Sequence, residues 1–123
     1  MNARIIATLF LLAQLLVAPA VVRAHAFLDH ANPEVGSTVS AAPTVVHVWF
    51  TQELEPAFSW VQVTDKSGQS VTDGSSAVDP NNKQEMDVKL KPLTAGSYTV
   101  KWHALSVDTH TTQGDFTFQV KGS

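Results

Sequence analysis

The sequence predicts a small all-β domain, an antiparallel sandwich or barrel, and three observations carry that expectation. Apolar residues recur at every second position along several stretches, and past the first two dozen residues no stretch has helical spacing. Turn-forming Gly, Pro, Asp, Asn and Ser stand between those stretches. The 123 residues give room for one domain, with no repeat and no second composition.

Residues 1–24 are set apart as a cleaved secretory signal. Met1 and Arg4 give a short positive start, and an apolar run from Ile5 to Val17 follows, broken only by Thr8 and Gln14. Small residues then stand at Ala18, Ala20 and Ala24. That order matches a signal peptide, and the run is short for the roughly 30 Å of a bilayer core. Two cleavage points are available. One follows Ala20 and starts the chain at Val21. The other follows Ala24 and makes His25 residue one. The pattern itself leaves both open.

The mature domain, taken as 25–123, reads as strands in order. Val46, Val48 and Phe50 alternate with Val45, His47 and Trp49, so both faces of that strand are expected to be covered. Trp60 to Thr64 forms a second strand, Asp65 to Gly68 a turn, and Gln69 to Val71 a short return. Residues 72–85 are polar and read as a mobile surface loop. Met86, Val88 and Leu90 alternate with charged neighbours; Pro92 and Gly96 frame a turn. Tyr98, Val100, Trp102 and Ala104 form the next inward face, and Phe116, Phe118 and Val120 the last. Trp49 and Trp60 are expected in the core with Tyr98 and Trp102, and Gly96 and Gly114 in turns.

Composition narrows the function. Cleavage after Ala24 removes Arg4 and Arg23, which leaves six basic against eleven acidic residues and moves the net charge from −3 to −5. An acidic domain is a poor binder of nucleic acid or anionic lipid. Without cysteine there is no disulfide, thiolate catalysis, zinc ribbon or blue-copper centre. After the signal Met86 is the only methionine, so no thioether cluster for Cu(I) is available.

Histidines stand at 25, 30, 47, 103 and 110. His47 and His103 lie within strands and read as ordinary structural residues; His30 reads as solvent-facing. Asp108-Thr109-His110 is different. On extended chain Asp108 and His110 point to one side, with Cα atoms roughly 6.5 Å apart, and can reach one ion. A processed His25 adds an α-amine and Nδ1, which chelate one metal together. With His110 that makes three nitrogens, and Asp108 adds an anionic oxygen. This set suits tetragonal Cu(II).

Three blocks then carry a resemblance: "HAFLDHANPEVGSTV" at 25–39, "PTVVHVWFTQEL" at 43–54 and "LTAGSYTVKWHALSVDTHTTQGDFTFQV" at 93–120. Together they resemble the CopC family of periplasmic copper-resistance proteins. The Gly-x-Tyr-x-Val-x-Trp run leading into Ser-x-Asp-x-His is the most specific part. The resemblance implies a Greek-key barrel or sandwich related to cupredoxins, and cleavage just before His25. It also implies one Cu(II) ion held by His25, Asp108 and His110. Some members carry a glutamate near the metal within Phe-Ser-Glu. Here the segment reads Phe50-Thr51-Gln52, followed by Glu53, and neither Gln52 nor Glu53 is assigned as a ligand. The absence of a methionine-rich loop places the chain with the Cu(II)-only members. Thr109 stands where the family usually has glycine.

The expected function is therefore a periplasmic carrier, buffer or chaperone for Cu(II), and not an enzyme. Its implied partners are a CopD-like inner-membrane copper transporter or other periplasmic copper proteins, without membrane insertion of the processed chain. Two alternatives differ in class. A histidine brace also holds copper in lytic polysaccharide monooxygenases, although Asp108 would favour Cu(II) over the Cu(I) state that oxygen chemistry needs. An Ig-like assembly module would bind no metal.

Overall fold

A computed structural model describes residues 26–122. The expected signal segment, both cleavage points and His25 lie outside the described residues. Among the described residues eight strands form: β1 (Leu28–Asn32), β2 (Thr38–Val39), β3 (Val45–Phe50), β4 (Trp60–Asp65), β5 (Ala77–Asp79), β6 (Asn82–Lys89), β7 (Gly96–Leu105) and β8 (Thr111–Val120), with one 3-10 turn at Pro56–Phe58. They make two four-stranded sheets, ordered β1-β3-β6-β5 and β2-β8-β7-β4. The chain changes sheet repeatedly, so neither sheet is a simple meander, and the apolar faces of the two meet as a sandwich. Among the described residues no helix is long and apolar enough to cross a membrane.

Two-residue periodicity places the core. Val46, Val48 and Phe50 of β3 and Met86 and Val88 of β6 turn inward from one sheet. Val61 and Val63 of β4, the four alternating residues from Tyr98 to Ala104 of β7, and Phe116, Phe118 and Val120 of β8 turn inward from the other. Each large apolar side chain buried this way contributes about 1.5–3 kcal/mol before entropy is counted. β7 and β8 pair without a break from Gly96↔Val120 to Leu105↔Thr111 and form the longest hairpin. Tyr98 tethers its near end by donating its hydroxyl to the Thr94 carbonyl at 2.6 Å.

Several sequence expectations need correction. Residues 72–85 are not one loop: β5 and the start of β6 lie within them, and β5 pairs with β6 as a hairpin, with Asp79 opposite Asn82, Val78 opposite Met86 and Ala77 opposite Asp87. The return at 69–71 is a single bridge, Thr64↔Ser70, rather than a strand. The expected antiparallel sandwich is found, and among the described strands only the short β2 runs parallel to its neighbour, β8. Trp60 is 43% exposed, because Val61 and Val63 take the inward parity of β4. Trp49 is half-buried on the outer face, stacked on His30 at 4.3 Å. Gly114 is no turn residue; it sits inside β8 opposite Trp102. A Cβ there would lie 2.8 Å from Trp102 Cζ2, so the indole occupies the space of the missing side chain.

Candidate metal centre

Asp108 and His110 lie in the turn that closes the β7–β8 hairpin, at one end of the sandwich. The expected extended backbone is not found. Thr109 adopts φ +72°, in the left-handed region, and the chain reverses within 106–110. The Ser106 N–H donates to the His110 carbonyl at 3.0 Å, and the Thr109 N–H to the Ser106 carbonyl at 2.9 Å. This tight reversal still brings the two side chains together: His110 Nδ1 is 3.5 Å from Asp108 Oδ1. Both remain exposed.

Ser106 organises the turn. It is fully buried, and its hydroxyl donates to Asp108 Oδ1 while the His110 N–H donates back to it at 3.3 Å. That hydroxyl holds the Asp108 carboxyl below the usual carboxylate range, with the nearby His110 ring acting in the same direction. Asp108 is therefore an anion through mildly acidic pH. The sequence reading did not single out Ser106 as a positioning residue, although it stands two residues before Asp108 in the Ser-x-Asp-x-His run.

Thr109 is β-branched, and such residues adopt positive φ only with strain, of order 1–2 kcal/mol for a left-handed residue. Thr109→Gly is expected to stabilise the domain by about 1 kcal/mol, which for about 100 residues is a rise in Tm of roughly 4–8 °C. Thermal melting measures it. An unchanged Tm would mean that the bond from Thr109 Oγ1 to the Asp108 carbonyl, 2.6 Å, offsets the strain.

The first described residues run beside this turn. Ala26 is fully buried and its carbonyl accepts from the hydroxyl of Thr112, two residues beyond His110. Phe27 exchanges two bonds with Thr51: its N–H donates to Thr51 Oγ1 at 3.0 Å, and its carbonyl accepts from the Thr51 N–H at 2.9 Å. The chain leaving β3 approaches the same place, where the Glu53 carbonyl accepts from the Val107 N–H at 3.1 Å. Gln52 and Glu53 follow the end of β3 at Phe50. Strand alternation therefore does not set their directions.

The other histidines have different surroundings. His30 Nδ1 meets Asp29 at 2.6 Å. His103 stacks on Trp60 at 5.7 Å and donates from Nδ1 to the Phe58 carbonyl at 3.1 Å. His47 lies on the outer face of the other sheet, with Glu85 and Asp87.

The fold is a small two-sheet β sandwich that places an exposed Asp-x-His pair on a hairpin turn beside its first described residues. The chain belongs to the CopC family: the CopC domain model matches residues 28–121. It is 36% identical over 107 residues to Protein YobA of Escherichia coli K12, covering 86% of each chain. It is 34% identical over 110 residues to copper resistance protein C of Pseudomonas syringae pv. tomato, covering 83% of this chain and 85% of that one. The crystal structure of CopC from Methylosinus trichosporium OB3b superposes with a TM-score of 0.74 at 33% identity, covering 80% of this chain and 95% of that chain.

Proposed function

We propose that the processed protein begins at His25 and binds one Cu(II) ion through the α-amine and Nδ1 of His25, His110 and Asp108. In this reading residues 1–24 are a removed signal, residues 25–123 are the working domain, and the protein carries or buffers copper in the periplasm. The observation that carries the reading is the joint placement of Asp108 and His110, 3.5 Å apart and exposed, next to the Thr112 that fixes Ala26. Ala26 is the sequence neighbour of His25, and consecutive Cα atoms are 3.8 Å apart. The donors fit the ion: nitrogen ligands and one anionic oxygen suit Cu(II), which heads the affinity order for such sites. Membership of a copper-resistance family supports the same cargo.

The direct test is the intact mass of the secreted protein together with electron paramagnetic resonance of its Cu(II) form. A chain starting at His25 and coupling to several nitrogens, one of them the terminal amine, is the expected result. A start at Val21, or no terminal nitrogen in the spectrum, would sink it. The monooxygenase alternative is tested by ascorbate and peroxide with a chromogenic substrate. Sustained copper-dependent turnover would favour an enzyme; its absence fits a carrier whose carboxylate holds the cupric state.

Acid should release the ion. The α-amine binds only when deprotonated, and its ordinary pKa is about 7.7–8.0, so affinity is expected to fall about tenfold per pH unit below that range. Asp108 adds little to this slope, since its carboxyl titrates below the ordinary carboxylate range. Competition against a chelator of known pH dependence, between pH 8 and pH 5, measures the effect.

A further inference from the structure

A second group of donors stands on the outer face of the other sheet. His47 and Trp49 occupy alternate outward positions of β3, and Glu85 and Asp87 alternate outward positions of β6. The antiparallel register sets His47 opposite Asp87 and Trp49 opposite Glu85. His47 Nδ1 is 2.7 Å from Asp87 Oδ1 and 3.3 Å from Glu85 Oε2, and the three donor atoms lie within 4.8 Å of one another. A tetrahedral ion with ligands at about 2.0–2.2 Å separates them by about 3.3–3.6 Å. Small side-chain shifts would reach that spacing.

Three features distinguish this group from a chance meeting of surface charges. The first is chemical: one imidazole and two carboxylates form a mixed nitrogen and oxygen set for a borderline divalent ion. The second is orientation. The Trp49 indole N–H donates to Glu85 Oε1 at 2.9 Å and so leaves Oε2 facing His47. A fixed outer partner of that kind is how metal sites hold their ligands in place. His30 stacks on the far side of Trp49, which limits how far the indole can turn. The third is charge. Two carboxylates share the site, the Glu85 side chain is only 13% exposed, and no lysine or arginine of the described residues lies within 4 Å of either. The two carboxylates, drawn to one imidazole, repel one another. A bound dication would relieve that repulsion.

We propose that His47, Glu85 and Asp87 form a second cation site, for Zn(II) or a similar borderline divalent ion, independent of the Asp108–His110 turn. Water would complete the coordination, since the His47 and Asp87 side chains are 35% and 30% exposed. The site is on the opposite sheet from the turn, so the two can be filled separately.

The test uses secreted full-length domain carrying His110→Ala, which removes the turn site, and counts Zn(II) by calorimetry. One equivalent is expected to remain. Adding His47→Gln or, separately, Asp87→Asn should weaken that equivalent at least tenfold, with circular dichroism and Tm confirming the fold. Glu85→Gln should act likewise, and Trp49→Phe should weaken it by less. Absence of Zn(II) uptake by the His110→Ala protein, or uptake that His47→Gln and Asp87→Asn leave unchanged, would overturn the proposal. The Cu(II) spectrum of the wild-type protein is read independently, so either site can fail without the other.

Discussion

A protein carrying a single extra residue ahead of His25 is expected to fold with an unchanged Tm and to lose most of its Cu(II) affinity. The extra residue converts the α-amine into an amide, which has no lone pair to give at neutral pH, and breaks the chelate with Nδ1. The body of the domain is untouched. Ala26 is already held by Thr112, and Phe27 by Thr51, and the added residue removes neither bond. Loss of an outer partner typically costs roughly 10–100-fold in metal affinity, and loss of a ligand together with its chelate ring should exceed that. His110→Ala should match it, because it removes the imidazole opposite. Competition titration with a chelator of known affinity measures both. An extended protein that binds as tightly as the processed one would require a site without the terminal amine, and the proposed brace would then be wrong.

Gly114→Ala is expected to destabilise the domain by about 1–3 kcal/mol, the range for inserting a methyl into a packed core. The new Cβ would stand 2.8 Å from Trp102 Cζ2 and 3.1 Å from Cε2. The indole cannot simply step aside. It is buried, Phe50 packs edge-on against it at 5.3 Å, and its own strand is paired along its length with β8. Its Nε1 has no hydrogen-bond partner among the described residues, so no polar tether is broken when the ring shifts and the cost is one of packing. For a domain of about 100 residues the corresponding fall in Tm is about 4–8 °C per kcal/mol. Gly122→Ala is the control: its nearest contact would be Ala95 Cβ at 3.9 Å, and no loss is expected. Equal melting of the two variants would show that Trp102 has room that the packing denies it.

The legible part of the fold is the part whose two faces differ. β3, β6, β7 and β8 each bury one parity, so apolar alternation marks them directly. β5 and the start of β6 were hidden because Asn82, Lys83 and Gln84 are all exposed, and a strand solvated on both faces has no alternation to read. β2 spans two residues, too short for any pattern. Trp60 shows that size does not decide burial; parity does, and valines at 61 and 63 hold the inner positions. The closeness of the Asp108 and His110 side chains was legible from residue type and spacing. The backbone joining them was not, because threonine gives no sign of the left-handed conformation it adopts at 109. His47, Glu85 and Asp87 could not be seen together at all. About forty residues separate the histidine from the acids, and only the β3–β6 register makes them neighbours.

The ten-pair hairpin under Asp108 and His110 has a kinetic consequence. In the proposed brace Asp108 and His110 sit exposed on the rim of that support, open to an incoming donor. A cupric ion held there would leave by substitution, with donors of an approaching acceptor entering before those of the carrier depart. Handover would then accelerate with acceptor concentration, while the sandwich beneath stays still.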